Sequence, residues 1–262
     1  MSDLIPISVH ILTYNSGETL ENTLMSIKDC EEILVIDGDS TDNTLDIASK
    51  YNAKVISQET TGKITDFSSV RNLALANASK DWIFALDSDE VATEEILESM
   101  KEAVIKNEIA AFYVIRKYVL NDGRVVDFAS TYPNKRLYFF NKKAINKWIK
   151  PVHERPELCE SVPVYDLEGA CLAPLGNNED YWRKNNRYLK LERQKSKNKG
   201  WKHWLVSRLF HTTRSRSIAL IRIMIIWGIP RKGVRLPLRY EIARLIYGLK
   251  LIYVTCPLVN KK

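Results

Sequence analysis

Cysteine is scarce and scattered in this chain of 262 residues. The four, Cys30, Cys159, Cys171 and Cys256, form no C-x-x-C pair, which argues against a zinc site or a disulfide framework and for a reducing compartment. No uninterrupted apolar run reaches the roughly 18 residues of a membrane-spanning helix. The opening Met1-Ser2-Asp3-Leu4-Ile5-Pro6 lacks a basic segment and a cleavage site, so no secretory leader is expected. Internal repeats and low-complexity segments are missing too. Acids are almost missing from one end: residues 182–262 hold 21 Lys and Arg against 2 Asp and Glu, whereas residues 1–181 hold 18 against 30. An acidic body with a basic tail points to an anionic partner for the tail: a membrane surface, an anionic acceptor or nucleic acid. No recognisable nucleic-acid module accompanies the charge, so nucleic acid ranks last. Apolar content of 45% and charged content of 27% are those of a globular chain.

Short apolar segments alternate with helical periodicity through the first hundred residues. Residues 7–12, 33–36, 55–56 and 82–86 read as strands. Leu20, Leu24 and Ile27 recur at helical spacing, Leu45 and Ala48 face inward from a second helix capped by Ser40 or Thr41, and residues 67–78 form a third carrying Arg71-Asn72. Thr93 is the expected N-cap of a fourth helix, with Glu94 and Glu95 in its first turn. This alternation predicts a mainly parallel α/β sheet, whose ligands bind beyond the strands' carboxyl ends. The pattern then changes. Residues 111–120, 124–128 and 135–140 are strand-like, with a hairpin signal at Asn121-Asp122-Gly123, so an antiparallel section is expected. Pro151-Val152-His153-Glu154 reads as a loop, residues 162–172 add a last strand, and the chain is helical from about Asn178.

Three polar clusters fall on the predicted carboxyl edge: Thr13–Asn15, Asp37–Asp42 and Asp87-Ser88-Asp89. Neighbouring carboxylates at a strand end repel, and a divalent cation or a ligand offsets that repulsion. Mg²⁺ or Mn²⁺ takes oxygen ligands and commonly grips a substrate phosphate as well. A solvated turn is the competing reading of the triplet; the shared edge favours a diphosphate site.

In order along the chain, Thr13-Tyr14-Asn15, Glu21-Asn22-Thr23-Leu24, Ile36 to Thr44, Arg71-Asn72 and Asp87-Ser88-Asp89-Glu90 resemble the family 2 glycosyltransferases, whose fold is called GT-A. Arg136-Leu137-Tyr138-Phe139 and Val152-His153-Glu154 are similar to the branch that adds β-1,4-linked glucose to the inner core of bacterial lipooligosaccharide. The resemblance implies that Thr13, Tyr14 and Asn15 line the nucleotide pocket, Asp37 accepts from the uracil imide, Arg71 faces base or diphosphate, Asp87 holds ribose and metal shell, and Asp89 coordinates Mn²⁺ or Mg²⁺. It implies an inverting single displacement from a nucleotide sugar, with a UDP-hexose expected, to a hydroxyl of a glycan or glycolipid. Glu154 is the candidate base and Asp127 the reserve. His153 is the candidate third metal ligand, with an ordinary loop hydrogen bond as its alternative. Arg136 either stabilises the leaving diphosphate or pairs with an acid. The stretch Cys171–Gly176 holds no His, where many relatives carry one.

The expected division is a catalytic domain over residues 1–177 and a basic helical region over 178–262. Basic amphipathic helices bearing Trp201, Trp204 and Phe210 suit a headgroup layer, which predicts a cytoplasmic protein peripheral on the inner face of the membrane. Two other functions stay open. Asp87-x-Asp89-x-Val91 also resembles the opening motif of haloacid-dehalogenase-like phosphohydrolases, with Asp87 as nucleophile, although no later G-D-x-x-x-D follows. The other is a non-catalytic membrane scaffold on a degenerate sugar-nucleotide fold.

Overall fold

The computed structural model describes residues 4–58, 64, 66–151, 153–197 and 199–260. In chain order its elements are β1 (Ile5–Thr13), α1 (Leu20–Ser26), β2 (Cys30–Asp37), α2 (Thr44–Lys50), β3 (Lys54–Ser57), α3 (Phe67–Asn77), β4 (Trp82–Asp87), β5 (Val91–Ala92), α4 (Glu94–Lys106), β6 (Ala111–Val119), β7 (Asn134–Asn141), β8 (Ile145–Ile149), β9 (Arg155–Leu158), β10 (Val164–Asp166) and β11 (Cys171–Pro174). The helices α5 (Asn178–Ser196), α6 (Trp201–His203), α7 (His211–Gly228), α8 (Leu238–Val254) and α9 (Pro257–Asn260) follow, with a π-helical stretch, Trp204–Phe210, joining α6 to α7. Two compact units result, one from residues 1–117 and 133–174, the other from 118–132 and 175–262. The second crossing, at 174–175, lies close to the expected boundary at 177, but residues 118–132 cluster with the C-terminal helices.

The first unit holds a sheet of order β3-β2-β1-β4-β7-β6-β11-β5, with β10 on β6. Strands β3, β2, β1 and β4 are parallel, and β7 then runs antiparallel to both β4 and β6. This is the expected α/β class: a mainly parallel sheet with an antiparallel section and C-terminal helices. Strand β1 is buried at every position except Pro6, as a central parallel strand covered on both faces must be. Register sets the functional edge, for Thr13 pairs with Asp37 and Leu12 with Asp87. The chain order reverses between β1 and β4, so Asp87 stands at the topological switch point where such sheets open a crevice.

Local chemistry agrees with most expected ends and corrects others. Thr93 caps α4 through its side chain, and α4 stops at Asn107 in the left-handed region, φ 51°. The residue capping α2 is Asn43 rather than Ser40 or Thr41; Ser40 is bound to Asp37 instead, and the Asp42 carboxylate accepts the Thr44 N–H. The turn at 121–123 closes with Gly123 N donating to Leu120 O. Its second arm reduces to isolated bridges, Val119 with Val125 and Phe128 with Arg235, so 124–128 is no strand. Strands β8 and β9 on either side of Glu154's loop pair as a separate hairpin that periodicity did not signal, and Val152 of the expected loop lies outside the described residues.

His10 lies fully buried at the middle of β1, and neither ring nitrogen has a hydrogen-bond partner. Burial, with help from the Arg71 and Lys142 charges, lowers it from 6.5 to about 3. The unfolded chain therefore takes up a proton below pH 6.5 that the folded chain refuses, and the contribution of His10 to stability is constant above that pH and falls below it by about 1.4 kcal/mol per unit toward pH 3. Replacing His10 with Leu is expected to flatten this acid limb in denaturant titrations at pH 7, 6 and 5. An unchanged limb assigns the acid sensitivity elsewhere.

The second unit has a small core of its own, Val126, Ala129, Leu236 and Tyr240. No helix among the described residues is long and apolar enough to cross a membrane. Large apolar side chains nevertheless stand exposed along α7 and α8, among them Ile221, Met224, Trp227, Ile242 and Leu249.

Candidate active site

The loops after β1 and β2 are tied together by the residues expected to line the nucleotide pocket. Thr13 Oγ1 donates to Asp37 Oδ1 at 2.7 Å, Ser40 Oγ donates to the same oxygen at 2.6 Å, and Ser40 N donates to Asp37 Oδ2 at 2.8 Å. Asn15 N donates to Ser40 Oγ, and Asn15 Oδ1 accepts Thr41 N, both at 2.8 Å. Asn15 and Asp39 hold left-handed φ values of 50° and 68°, which short polar side chains tolerate best. A Cβ at Gly17 would meet the Asn43 side-chain amide, which would have to swing away. Asp37 is buried and organises this loop pair, and a carboxylate with three donors keeps acceptor capacity for one more. Tyr14 is exposed at the rim.

Beside it stands a cluster of acids and arginines. Asp87 Oδ1 accepts Arg71 Nη2 at 2.9 Å, and Oδ2 accepts Arg136 Nη1 at 2.7 Å. Burial pushes the Asp87 carboxyl up, but Arg71, Arg136 and Arg116 outweigh it and hold the group below the usual carboxylate range. Glu90, 2% exposed, pairs with Arg116 Nε and lies 3.7 Å from Arg136. Burial and the Asp87 charge push it up to about 7 against those two arginines. The Asp89 side chain is 46% exposed, with Arg116 Nη2 at 4.0 Å.

Arg71 is the keystone, 1% exposed and set on the buried stripe of α3 beside Val70 and Ala74. It also donates to His10 O at 3.1 Å and lies over the Tyr138 and Trp148 rings at 5.3 and 5.6 Å. Its neighbour Asn72 clamps the β8 hairpin by exchanging two hydrogen bonds with the Trp148 backbone, at 3.0 and 2.8 Å. That hairpin delivers Glu154, whose Oε1 accepts Tyr138 Oη at 3.0 Å and lies 3.8 Å from Arg71 Nε. Burial raises Tyr138 and keeps it a donor. Glu154 and Asp87 thus share Arg71 as a common neighbour.

The sequence-derived residues separate accordingly. Thr13, Asn15, Asp37, Arg71, Asp87, Asp89, Arg136 and Glu154 meet in the first unit. Asp127, the reserve base, belongs to the second unit, where its Oδ2 accepts Val234 N at 2.8 Å. His153 is exposed, at φ 58°, and the one group of candidate metal ligands among the described residues is Asp87, Asp89 and Glu90, with donor atoms within 4.8 Å of one another. Glu90, and not His153, lies in that group. The Glu90 carboxylate closes the acidic run Asp87-Ser88-Asp89-Glu90, a signal visible in the sequence but given no role. Arg116 carried no signal, because only the sheet order, with β7 between β4 and β6, brings it near Glu90.

An all-oxygen donor set fits a hard divalent cation. Three guanidinium groups already offset the three carboxylates. A cation arriving with a diphosphate keeps that balance, since the two charges largely cancel. Asp89, the most exposed acid, offers the entry point.

Strand order, switch point and this crevice define a Rossmann-type α/β protein with its ligand site at the carboxyl edge of the sheet. More specifically, the chain belongs to glycosyl transferase family 2, whose profile matches residues 8–157. It is 30% identical over 178 residues to a TPR repeat-containing protein of Synechococcus elongatus, covering 68% of this chain and 39% of that one. Similarity to the prophage-derived glycosyltransferase SunS of Bacillus subtilis is 29% over 162 residues, covering 59% and 36%. The chain spans less than half the length of either relative. A solved structure of S. aureus TarS with UDP-GlcNAc aligns at 19% identity and TM-score 0.48, covering 97% of this chain and 82% of that one; the fold assignment rests on strand order and not on this overlap.

Proposed function

We propose that the chain transfers a hexose from a UDP-sugar to a hydroxyl of a glycan or glycolipid, with inversion in a single displacement. The observation that carries this reading is the Asp87 carboxylate, gripped by Arg71 and Arg136 at the switch point beside half-exposed Asp89. Thr13, Tyr14 and Asn15 line the nucleoside pocket, and Asp37 accepts from the base. Asp89, Asp87 and Glu90 would hold Mn²⁺ or Mg²⁺, which when bound supplies charge neutralisation for the departing diphosphate. Arg136 and Arg71 lie where they add to that neutralisation. Glu154 Oε2 takes the acceptor proton as the acceptor oxygen bonds to the anomeric carbon and the carbon–diphosphate bond breaks. Tyr138 holds the other carboxylate oxygen and fixes its direction. We further propose that the basic second unit rests on the inner membrane face and that the acceptor belongs to lipooligosaccharide or another cell-surface glycan.

The phosphohydrolase alternative is disfavoured because both Asp87 oxygens are engaged by guanidinium groups, a poor state for a nucleophile. A degenerate scaffold has no need of three acids matched to three arginines. Replacing Glu154 with Gln is expected to lower kcat at least about a hundredfold with donor affinity unchanged. Product formation, and calorimetric binding of the UDP-sugar that most raises the melting temperature with Mn²⁺, check both halves. An unaltered kcat would remove Glu154 as base.

A further inference from the structure

The second unit contains a cavity of about 470 Å³ that the proposed reaction does not use. Arg214, Arg216 and Arg222 of α7 and Arg244 of α8 line it, with His211 and Thr131. No acid is among the lining residues. Behind the wall, buried Glu241 accepts Ser130 N at 2.7 Å and Ser130 Oγ, and so fixes the loop that forms that wall. Four guanidinium groups facing one space, with one carboxylate behind them, leave an excess of positive charge that a bound anion would offset.

The cavity is built rather than a chance gathering of surface charge. Arg222 Nη1 donates to Ser130 O at 3.2 Å and to Tyr132 O at 3.4 Å, which holds its fork in place. Arg216 crosses α8 at Gly248, where a Cβ would lie 2.7 to 2.8 Å from its Cγ, Cδ and Nε. That glycine leaves the room in which the half-buried guanidinium sits. Two buried polar atoms of lining residues, Arg216 Nε and Thr131 Oγ1, have no hydrogen-bond partner. Buried donors are almost always paired, so these two await an acceptor. Planar guanidinium forks match the oxygens of a phosphate, two bonds at a time.

We propose that this cavity binds a phosphate group, carried either by a membrane lipid or by a soluble phosphate compound. The lipid source fits the setting, because exposed Ile218 lines the cavity and exposed Ile221, Ile242 and Ile246 stand on the same two helices. The site is independent of the glycosyl-transfer reading, and its test uses the full chain in metal-free buffer, with substitutions in the cavity separating it from the crevice on the sheet edge.

Binding of inorganic pyrophosphate is measured by calorimetry, and binding of phosphatidylcholine vesicles, with and without phosphatidylglycerol, by flotation. The double variant Arg214→Gln/Arg222→Gln is expected to weaken phosphate binding at least about tenfold. Ala219→Met, which fills the cavity and keeps every charge, is expected to do the same, whereas exposed Lys232→Gln is expected to leave binding unchanged. Flotation with phosphatidylglycerol, reversed by pyrophosphate, assigns the lipid source; pyrophosphate binding without flotation assigns the soluble one. Failure of the parent to bind either probe overturns the proposal. So does an equal loss in Lys232→Gln, or full binding by Ala219→Met.

Discussion

Replacing Asp89 with Asn is expected to lower sugar transfer about a thousandfold while leaving the melting temperature within about a degree. The side chain stands half exposed at the end of the β4 turn, with Arg116 Nη2 at 4.0 Å from its carboxylate. Asparagine keeps the shape and one oxygen but removes the charge that draws a divalent cation to the crevice. Exposed substitutions away from packed groups cost little stability, so loss of activity and loss of fold separate cleanly here. Steady-state transfer with saturating Mn²⁺, beside a thermal melt, checks both. Near-normal transfer by the variant would show that Asp89 holds no metal.

The second large effect runs the opposite way, on stability first. Arg71→Met keeps most of the volume of a side chain that is 1% exposed, yet it removes the cation from Asp87 and the donor from His10 O. Removing one partner of a buried ion pair leaves the other uncompensated, at a cost of about 3–5 kcal/mol. For a chain of this size that corresponds to a fall of roughly 10 °C in melting temperature. Lysine does not rescue it, because one ammonium cannot serve His10 O and Asp87 together while lying flat on Tyr138 and Trp148. A melt within two degrees of the parent would mean that Arg136 alone satisfies Asp87.

These effects trace what was legible in the sequence. Strands announced themselves by apolar runs, and their polar ends, Thr13, Asp37 and Asp87, fell on one edge because parallel strands end together. Arg71 was legible as a motif but not as a buried anchor, since only packing reveals that its helix face turns inward. Glu90 was adjacent to the triplet yet assigned nothing: its ion pair with Arg116 forms across the sheet, where β7 lies between β4 and β6. Asp127, the reserve base after the hairpin, bonds to Val234, a contact across more than a hundred residues that no local pattern signalled. Proximity of that range is a property of topology, which local pattern does not encode. The tail's charge was plain, but the enclosure of four arginines around one cavity follows from the crossing of α7 and α8 at Gly248.

The crevice at the ends of β1, β2 and β4 is proposed to bind a nucleotide diphosphate with a divalent cation. Calorimetric titration of UDP, with Mn²⁺ and then with chelator, into the parent chain and Asp89→Asn tests it most directly. The account expects Mn²⁺-dependent binding by the parent, weakened at least about tenfold by chelator and equally by the substitution. UDP binding that is indifferent to both, or absent from the folded parent, would contradict it.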